Sequence, residues 1–146
     1  MNLATQDIFN TYEICIRMDK NENEVRKVVE AWEKSIQDGD IEGILAQHTH
    51  EVVMFDVPEP LQNVGLEAYK KTWDVFFKYN SGGKDSFGLV DLKITASDTV
   101  AFCHALLKIG GPEPECRLTI GLKKIDGIWY IMHEHHSAPF ALPDEN

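Results

Sequence analysis

Four consecutive ionisable residues, His133, Glu134, His135 and His136, close a run of β-branched and aromatic residues that begins at Ile128. An extended strand turns alternate side chains to opposite faces, so Glu134 and His136 share a face with Tyr130 and Met132, and His133 and His135 share the other with Trp129 and Ile131. A carboxylate and an imidazole on one face can grip a polar head group or relay a proton, and they can equally form a plain buried ion pair. His133 and His135 have the spacing to ligate a metal from one strand face, but no third ligand stands at a diagnostic distance along the chain, so no metal is assigned. A second candidate, Asp56, ends the apolar run Val52-Val53-Met54-Phe55 just before Val57-Pro58. A carboxylate walled by apolar groups holds its proton more tightly, which suits a base; the competing reading is a cap on the loop amides.

The elements that must position these groups follow from periodicity. Val25, Val28, Val29, Trp32 and Ile36 form one helical stripe over about 23–37, with Asn21 or Asn23 available as cap. Asp38-Gly39-Asp40 stops that helix, and Asp40 can cap a short second one carrying Ile41, Ile44 and Leu45. A short strand follows at 52–56. A third helix, 65–79, sets Leu66, Tyr69, Trp73, Phe76 and Phe77 on one face. Strands are expected at 87–95, 99–109, 115–125 and 128–136, the last pair joined by Asp126-Gly127, the favoured two-residue hairpin signal. An unbroken register from that turn opposes Leu122 to Ile131, Thr119 to Glu134 and Arg117 to His136. One hairpin surface then carries Arg117, Thr119, Tyr130, Met132, Glu134 and His136; the other carries Leu118, Ile120, Leu122, Trp129, Ile131, His133 and His135. Residues 1–21 stand apart as an N-terminal extension before a single domain at 22–146.

Composition narrows the function classes. The chain has 146 residues and a formal charge of −10, with no basic block to neutralise phosphates, which argues against nucleic acid and anionic membrane as partners. No apolar run approaches the roughly 20 residues of a membrane span. Met1-Asn2-Leu3-Ala4-Thr5-Gln6 lacks the basic start and apolar stretch of a signal peptide, so the expected compartment is the cytoplasm. Cys15, Cys103 and Cys116 are odd in number and unpatterned, which fits reduced thiols.

The block Trp32-Glu33-Lys34-Ser35-Ile36-Gln37-Asp38-Gly39-Asp40-Ile41-Glu42-Gly43, the strand ending Phe55-Asp56, the opening Gly65-Leu66-Glu67-Ala68-Tyr69, and the closing Asp126-Gly127-Ile128-Trp129 through His133-Glu134-His135-His136-Ser137 together resemble the SnoaL-like branch of the nuclear-transport-factor-2-like superfamily, which includes ketosteroid isomerase. The resemblance spans about 22–140. It implies an α+β cone, three N-terminal helices packed on a strongly curved, mainly antiparallel sheet. It also implies no cofactor and a homodimer paired through the outer sheet face, here Leu118, Ile120, Leu122, Trp129 and Ile131. Asp56 falls where the isomerase keeps its carboxylate base. Trp32 occupies the position of its oxyanion-binding tyrosine and Thr119 that of its protonated aspartate, so steroid isomerisation by the family mechanism is not implied.

The expected pocket therefore takes Asp56, Glu134 and His136 as its chemical groups. Trp32, His48, Phe55, Trp73, His104, Arg117, Thr119, Tyr130 and Met132 are its candidate ligand-binding residues, and most of these types serve equally as ordinary core. The activity expected is cofactor-independent proton abstraction on a small hydrophobic carbonyl compound, as in an isomerase, cyclase or lyase. A non-catalytic ligand-binding domain and a dimerisation module are the alternatives, because this fold hosts all of them.

Overall fold

The protein is described by a computed structural model over residues 3–143, with side chains described from residue 6. It is an α+β domain with helices against one face of a six-stranded curved sheet. The helices are α1 (Leu3–Asp38), α2 (Ile41–Leu45) and α3 (Leu66–Tyr79). The strands are β1 (His48–Phe55), β2 (Asn63–Val64), β3 (Phe87–Ala96), β4 (Val100–Ile109), β5 (Cys116–Ile125) and β6 (Ile128–Ser137). Their order in the sheet is β2-β1-β6-β5-β4-β3, antiparallel except where β1 runs parallel to β6.

The first helix corrects the expected start at Asn23. No proline or glycine interrupts residues 3–38, so nothing breaks the helix on its way back through the extension. It ends as expected at Gly39, whose φ of +69° a side chain would resist. Asp40 then caps α2 through the amide of Gly43 at 3.1 Å. From Val25 to Ile36 the stripe lies on the core, where Val25, Val29, Trp32 and Ile36 are at most 3% exposed. Residues 6–20 are exposed on every side.

The β5–β6 hairpin turns at Asp126-Gly127, both residues at positive φ as a type I′ turn requires. Its register matches the unbroken expectation only as far as Leu122 opposite Ile131. Gly121 then pairs with His133, so Met132 is an extra residue and a β-bulge reverses the alternation of β6. Glu134 opposes Ile120 and His136 opposes Leu118. The inner surface therefore carries Leu118, Ile120, Leu122, Trp129 and Ile131, all 3% exposed or less, together with Glu134 and His136. These five apolar residues are core, and the dimer patch expected from them does not exist. The face turned away from the helices instead carries Phe102 and Leu106 of β4, Arg117 and Thr119 of β5, and Met132 and His135 of β6.

Candidate functional site

The helices leave one end of the sheet open, where β1, β4 and β6 finish and β3 and β5 begin. There α3 and the loop 56–62 border a cleft of about 850 Å³. Its floor is Met54, Trp73, Phe87 and His136, all buried, and its rim is Val57, Val64, Val75 and Tyr79, all at least half exposed. Such size and apolar lining suit a small organic molecule. The polar groups on the cleft are few: Asp56, Asn63, Thr72, Asn80, Cys116 and His136 toward the interior, with Glu59, Glu67 and Lys71 along the mouth.

His136 reaches the cleft because the bulge at Met132 turns it inward. Its Nε2 lies 3.0 Å from Oε1 of Glu134. Glu134, with no exposed surface, places its other oxygen 2.7 Å from Nε2 of His48. Each imidazole bonds the carboxylate through Nε2, which fixes the proton there and leaves Nδ1 as the second nitrogen. For His48 that Nδ1 is buried and without a partner among the described residues. A proton on it would be a buried donor without an acceptor among the described residues, so the second nitrogen of His48 is better suited to stay bare. Burial pushes the Glu134 carboxyl up, but the hydrogen bonds from His136 and His48 and their charges outweigh it and bring it down to about 2. The group is an ionised carboxylate between two imidazoles.

Aromatic rings enclose this trio. His48 lies against Tyr69 at 4.4 Å between ring centroids. The Tyr69 hydroxyl accepts the indole N–H of Trp32 at 3.0 Å, and burial, followed by the charge of Glu134, holds its proton well above the usual phenol range. Tyr69 is thus a neutral O–H placed by Trp32 at the back of the site. Trp32 and Trp73 both meet His136 edge to face, at 6.3 and 6.4 Å.

Asp56 follows directly on Phe55, which pairs with His135, so Asp56 and His136 leave adjacent strands toward the same face. Both line the cleft. Asp56 is half-buried and its Oδ1 accepts the amide of Val57 at 2.8 Å, which is the loop-capping role.

The candidate residues thus divide. Asp56, His136 and Trp73 line the cleft; Glu134 and His48 lie behind His136; Trp32 lies deeper, packed in the core. Arg117, Thr119, Tyr130 and Met132, expected inside, sit on the outer surface: the face on which they were counted is the outer one up to the bulge, and only Glu134 and His136, beyond it, turn inward. His104 pairs with Thr119 on that same outer side. Phe55 also turns outward, against His133 at 4.8 Å and His135 at 5.4 Å, and the inward residue of its strand is Met54. His133 directs Nδ1 to the carbonyl of Val53 at 2.6 Å, which occupies one of the nitrogens a metal would need. Tyr69 was read only as part of an apolar helix stripe; its hydroxyl, which a buried tyrosine must pair, was the available signal.

This architecture is the cystatin-like, NTF2-like fold, and a family model described as a SnoaL-like domain matches residues 25–141. The chain belongs to the SnoaL-like family. It is similar to an NTF2-like protein of unknown function from Pseudomonas putida KT2440, with 33% identity over 86% of this chain and 92% of that one and a TM-score of 0.77. A candidate dehydratase of the NTF2-like family from Streptomyces avermitilis is 16% identical over 84% of this chain and 99% of the other, TM-score 0.69. A ketosteroid isomerase-like protein from Erwinia carotovora atroseptica SCRI1043 is 16% identical over 83% and 98%, TM-score 0.66. The last two likenesses concern the fold alone. No curated protein matches the chain. No described helix is long and apolar enough to cross a membrane.

Proposed function

We propose that the chain binds a small, mostly apolar, uncharged molecule bearing a carbonyl or hydroxyl group, and moves a proton on it. One observation carries this reading: His136 lines an apolar cleft while its Nε2 is tied to a fully buried, ionised carboxylate. A carboxylate behind an imidazole orients the ring, fixes its tautomer and stabilises positive charge that forms on it, which is how a histidine is made to take a proton and return it. His136 is the group that exchanges the proton through Nδ1. Glu134 and His48 position it. Asp56, on the same cleft, is the second group able to accept or deliver a proton, so abstraction and return can occur at two points of one ligand. The resemblance alone gave the base to Asp56; the geometry favours His136, since Asp56 lacks a buried partner and already holds the Val57 amide.

Binding without turnover is the second reading, and the capping role of Asp56 is the observation that favours it. Exchange of α-protons for deuterium separates the two. With 2-tetralone in D₂O, followed by proton NMR, the wild type is expected to speed exchange, and His136→Gln to lower that rate about a hundredfold while ligand-induced thermal stabilisation persists. Stabilisation by the ketone without exchange would leave a binding protein. Neither stabilisation nor exchange across a panel of bicyclic ketones would remove this substrate class.

A further inference from the structure

The cleft holds a buried amide with no part in the proton exchange described for His136. Asn63 opens β2 and pairs with Met54, the inward residue of β1, which in turn pairs with Glu134 of β6. Residues paired across a sheet share a face, so Asn63 turns inward beside Met54 while Val64 turns to the rim. Asn63 lines the cleft and is only 8% exposed.

The other polar groups there are engaged or badly placed. Thr72 donates its hydroxyl to the carbonyl of Tyr69 at 2.7 Å, and Asn80 donates its amide to the carbonyl of Phe76 at 3.2 Å. Asp56 accepts the Val57 amide, and Nε2 of His136 is tied to Glu134. The indole nitrogen of Trp73 has no open surface, so it faces protein and not the cleft. Lys71 is exposed at the mouth, and the Cys116 thiol is a weak donor. Asn63 is different: buried on the cleft wall, its side chain makes no hydrogen bond among the described residues. Buried polar groups are normally paired, so an amide left open toward a cleft is fitted to pair with what enters it. Both of its ends are free, and it can turn its NH₂ toward a ligand without breaking a bond.

We propose that Asn63 is the donor that holds the ligand's carbonyl oxygen and stabilises the charge that develops on it when His136 takes a proton from the neighbouring carbon. This rests on the cleft being a site for an uncharged carbonyl compound. Proton abstraction beside a carbonyl needs a base and also a donor for the oxygen. His136 supplies the first, and with Nε2 bound to Glu134 and Nδ1 accepting the proton it has nothing left to supply the second. The placement suits the division. Asn63 and His136 stand two strands and one two-residue step apart, which puts their Cα atoms roughly 12 Å from each other. Two inward side chains at that separation leave room for a C–H and its adjoining carbonyl, with contacts of about 3 Å at each end. In the step, Nδ1 takes the proton, the C–H electron pair becomes the second bond to the carbonyl carbon, and the carbonyl π pair moves onto oxygen. That oxygen then accepts the Asn63 N–H more strongly than the ketone did, which is the differential contact that lowers a barrier. Return of a proton, or of deuterium from the solvent, to the same carbon reverses each move.

2-Tetralone labelled with carbon-13 at its carbonyl tests this, read both by exchange in D₂O and by the carbonyl signal of the complex. In the wild type the bound carbonyl is expected at or downfield of its position in water, as a hydrogen-bonded ketone is. In Asn63→Leu, of similar volume, the signal should move upfield toward its position in an apolar solvent, kcat for exchange should fall about a hundredfold, and KM should change less than about fivefold. In His136→Gln exchange should fall as well, but the carbonyl signal should stay where the wild type has it, which separates the donor from the base. A wild-type complex whose carbonyl lies at the apolar-solvent position overturns the assignment without any variant. So does an Asn63→Leu protein that keeps the signal and the exchange rate of the wild type. In both cases the ketone still binds, and the function proposed for the cleft stands. A wild type that shows no bound signal with any bicyclic ketone overturns that function and this assignment together.

Discussion

Replacing Glu134 by glutamine tests the buried carboxylate with almost no change of shape. The carboxylate accepts from two imidazoles, at 2.7 and 3.0 Å, whereas an amide offers an acceptor to one of them and a second donor to the other. His48 reverses its tautomer only at a cost, because its Nδ1 is buried and an N–H there would have no acceptor among the described residues. The strain therefore falls on His136, which moves its proton to Nδ1 and so loses Nδ1 as an acceptor. Each charge-assisted bond contributes roughly 1.5–3 kcal/mol. Removing the cost of burying a charge offsets part of this loss, which leaves a destabilisation of about 2–4 kcal/mol. The pH dependence has a definite sign. The folded carboxyl is held at about 2 against an ordinary 4.5, so its stabilisation is complete above about 4.5 and fades as pH falls toward about 2. Urea unfolding followed by the fluorescence of Trp32 and Trp73, both packed on His136, reads the effect. The gap between wild type and Glu134→Gln should be constant from about pH 7 to about pH 5 and close between about 4.5 and about 2. A gap independent of pH down to about 3 would refute an ionised Glu134 and the account of the site built on it.

Three further outcomes follow from the geometry. Ile120→Ala should cost about 2–5 kcal/mol in urea unfolding and Thr119→Lys less than about 0.5, because the bulge places the first in the core and the second outside; the opposite ranking would restore the unbulged register. Tyr69→Phe leaves the Trp32 indole N–H without its acceptor and should cost about 1–2 kcal/mol, and a double-mutant cycle with Trp32→Phe should show coupling; additive losses would deny the Trp32 to Tyr69 bond. A bicyclic ketone should bind at least about tenfold more tightly than its carboxylate-bearing analogue, with a gap that narrows in high salt, because Asp56, Glu59 and Glu67 border the cleft against Lys71 alone; tighter binding of the anion would contradict this.

Much of the fold was legible because its signals are local. The stripe from Val25 to Ile36, the break at Gly39, the stripe of α3 and the Asp126-Gly127 turn each name an element through the chemistry of a few neighbouring residues. What misled was a single inserted residue. Strand alternation has period two, so the bulge at Met132 turns every later side chain of β6 to the other face. Glu134 and His136 still end inside, because the surface taken for the inner one was wrong before the bulge and right after it. Gly121 was the available warning, since glycine within a strand often marks a bulge. The full trio was beyond the sequence for another reason. His48 and Glu134 lie 86 positions apart and meet only through the parallel pairing of β1 with β6, which no local pattern announces.

Nitrogen-15 NMR of histidine-labelled protein tests the central claim most directly, because it reads each imidazole nitrogen separately. The account predicts that Nε2 of His136 keeps its proton through the titration, tied to Glu134, while Nδ1 alone gains and loses one and shifts when a ketone occupies the cleft. In Glu134→Gln the pattern should invert, with Nδ1 carrying the proton. A His136 whose Nε2 titrates freely in the wild type, or whose Nδ1 is unmoved by any cleft ligand, would contradict its assignment as the proton-exchanging group.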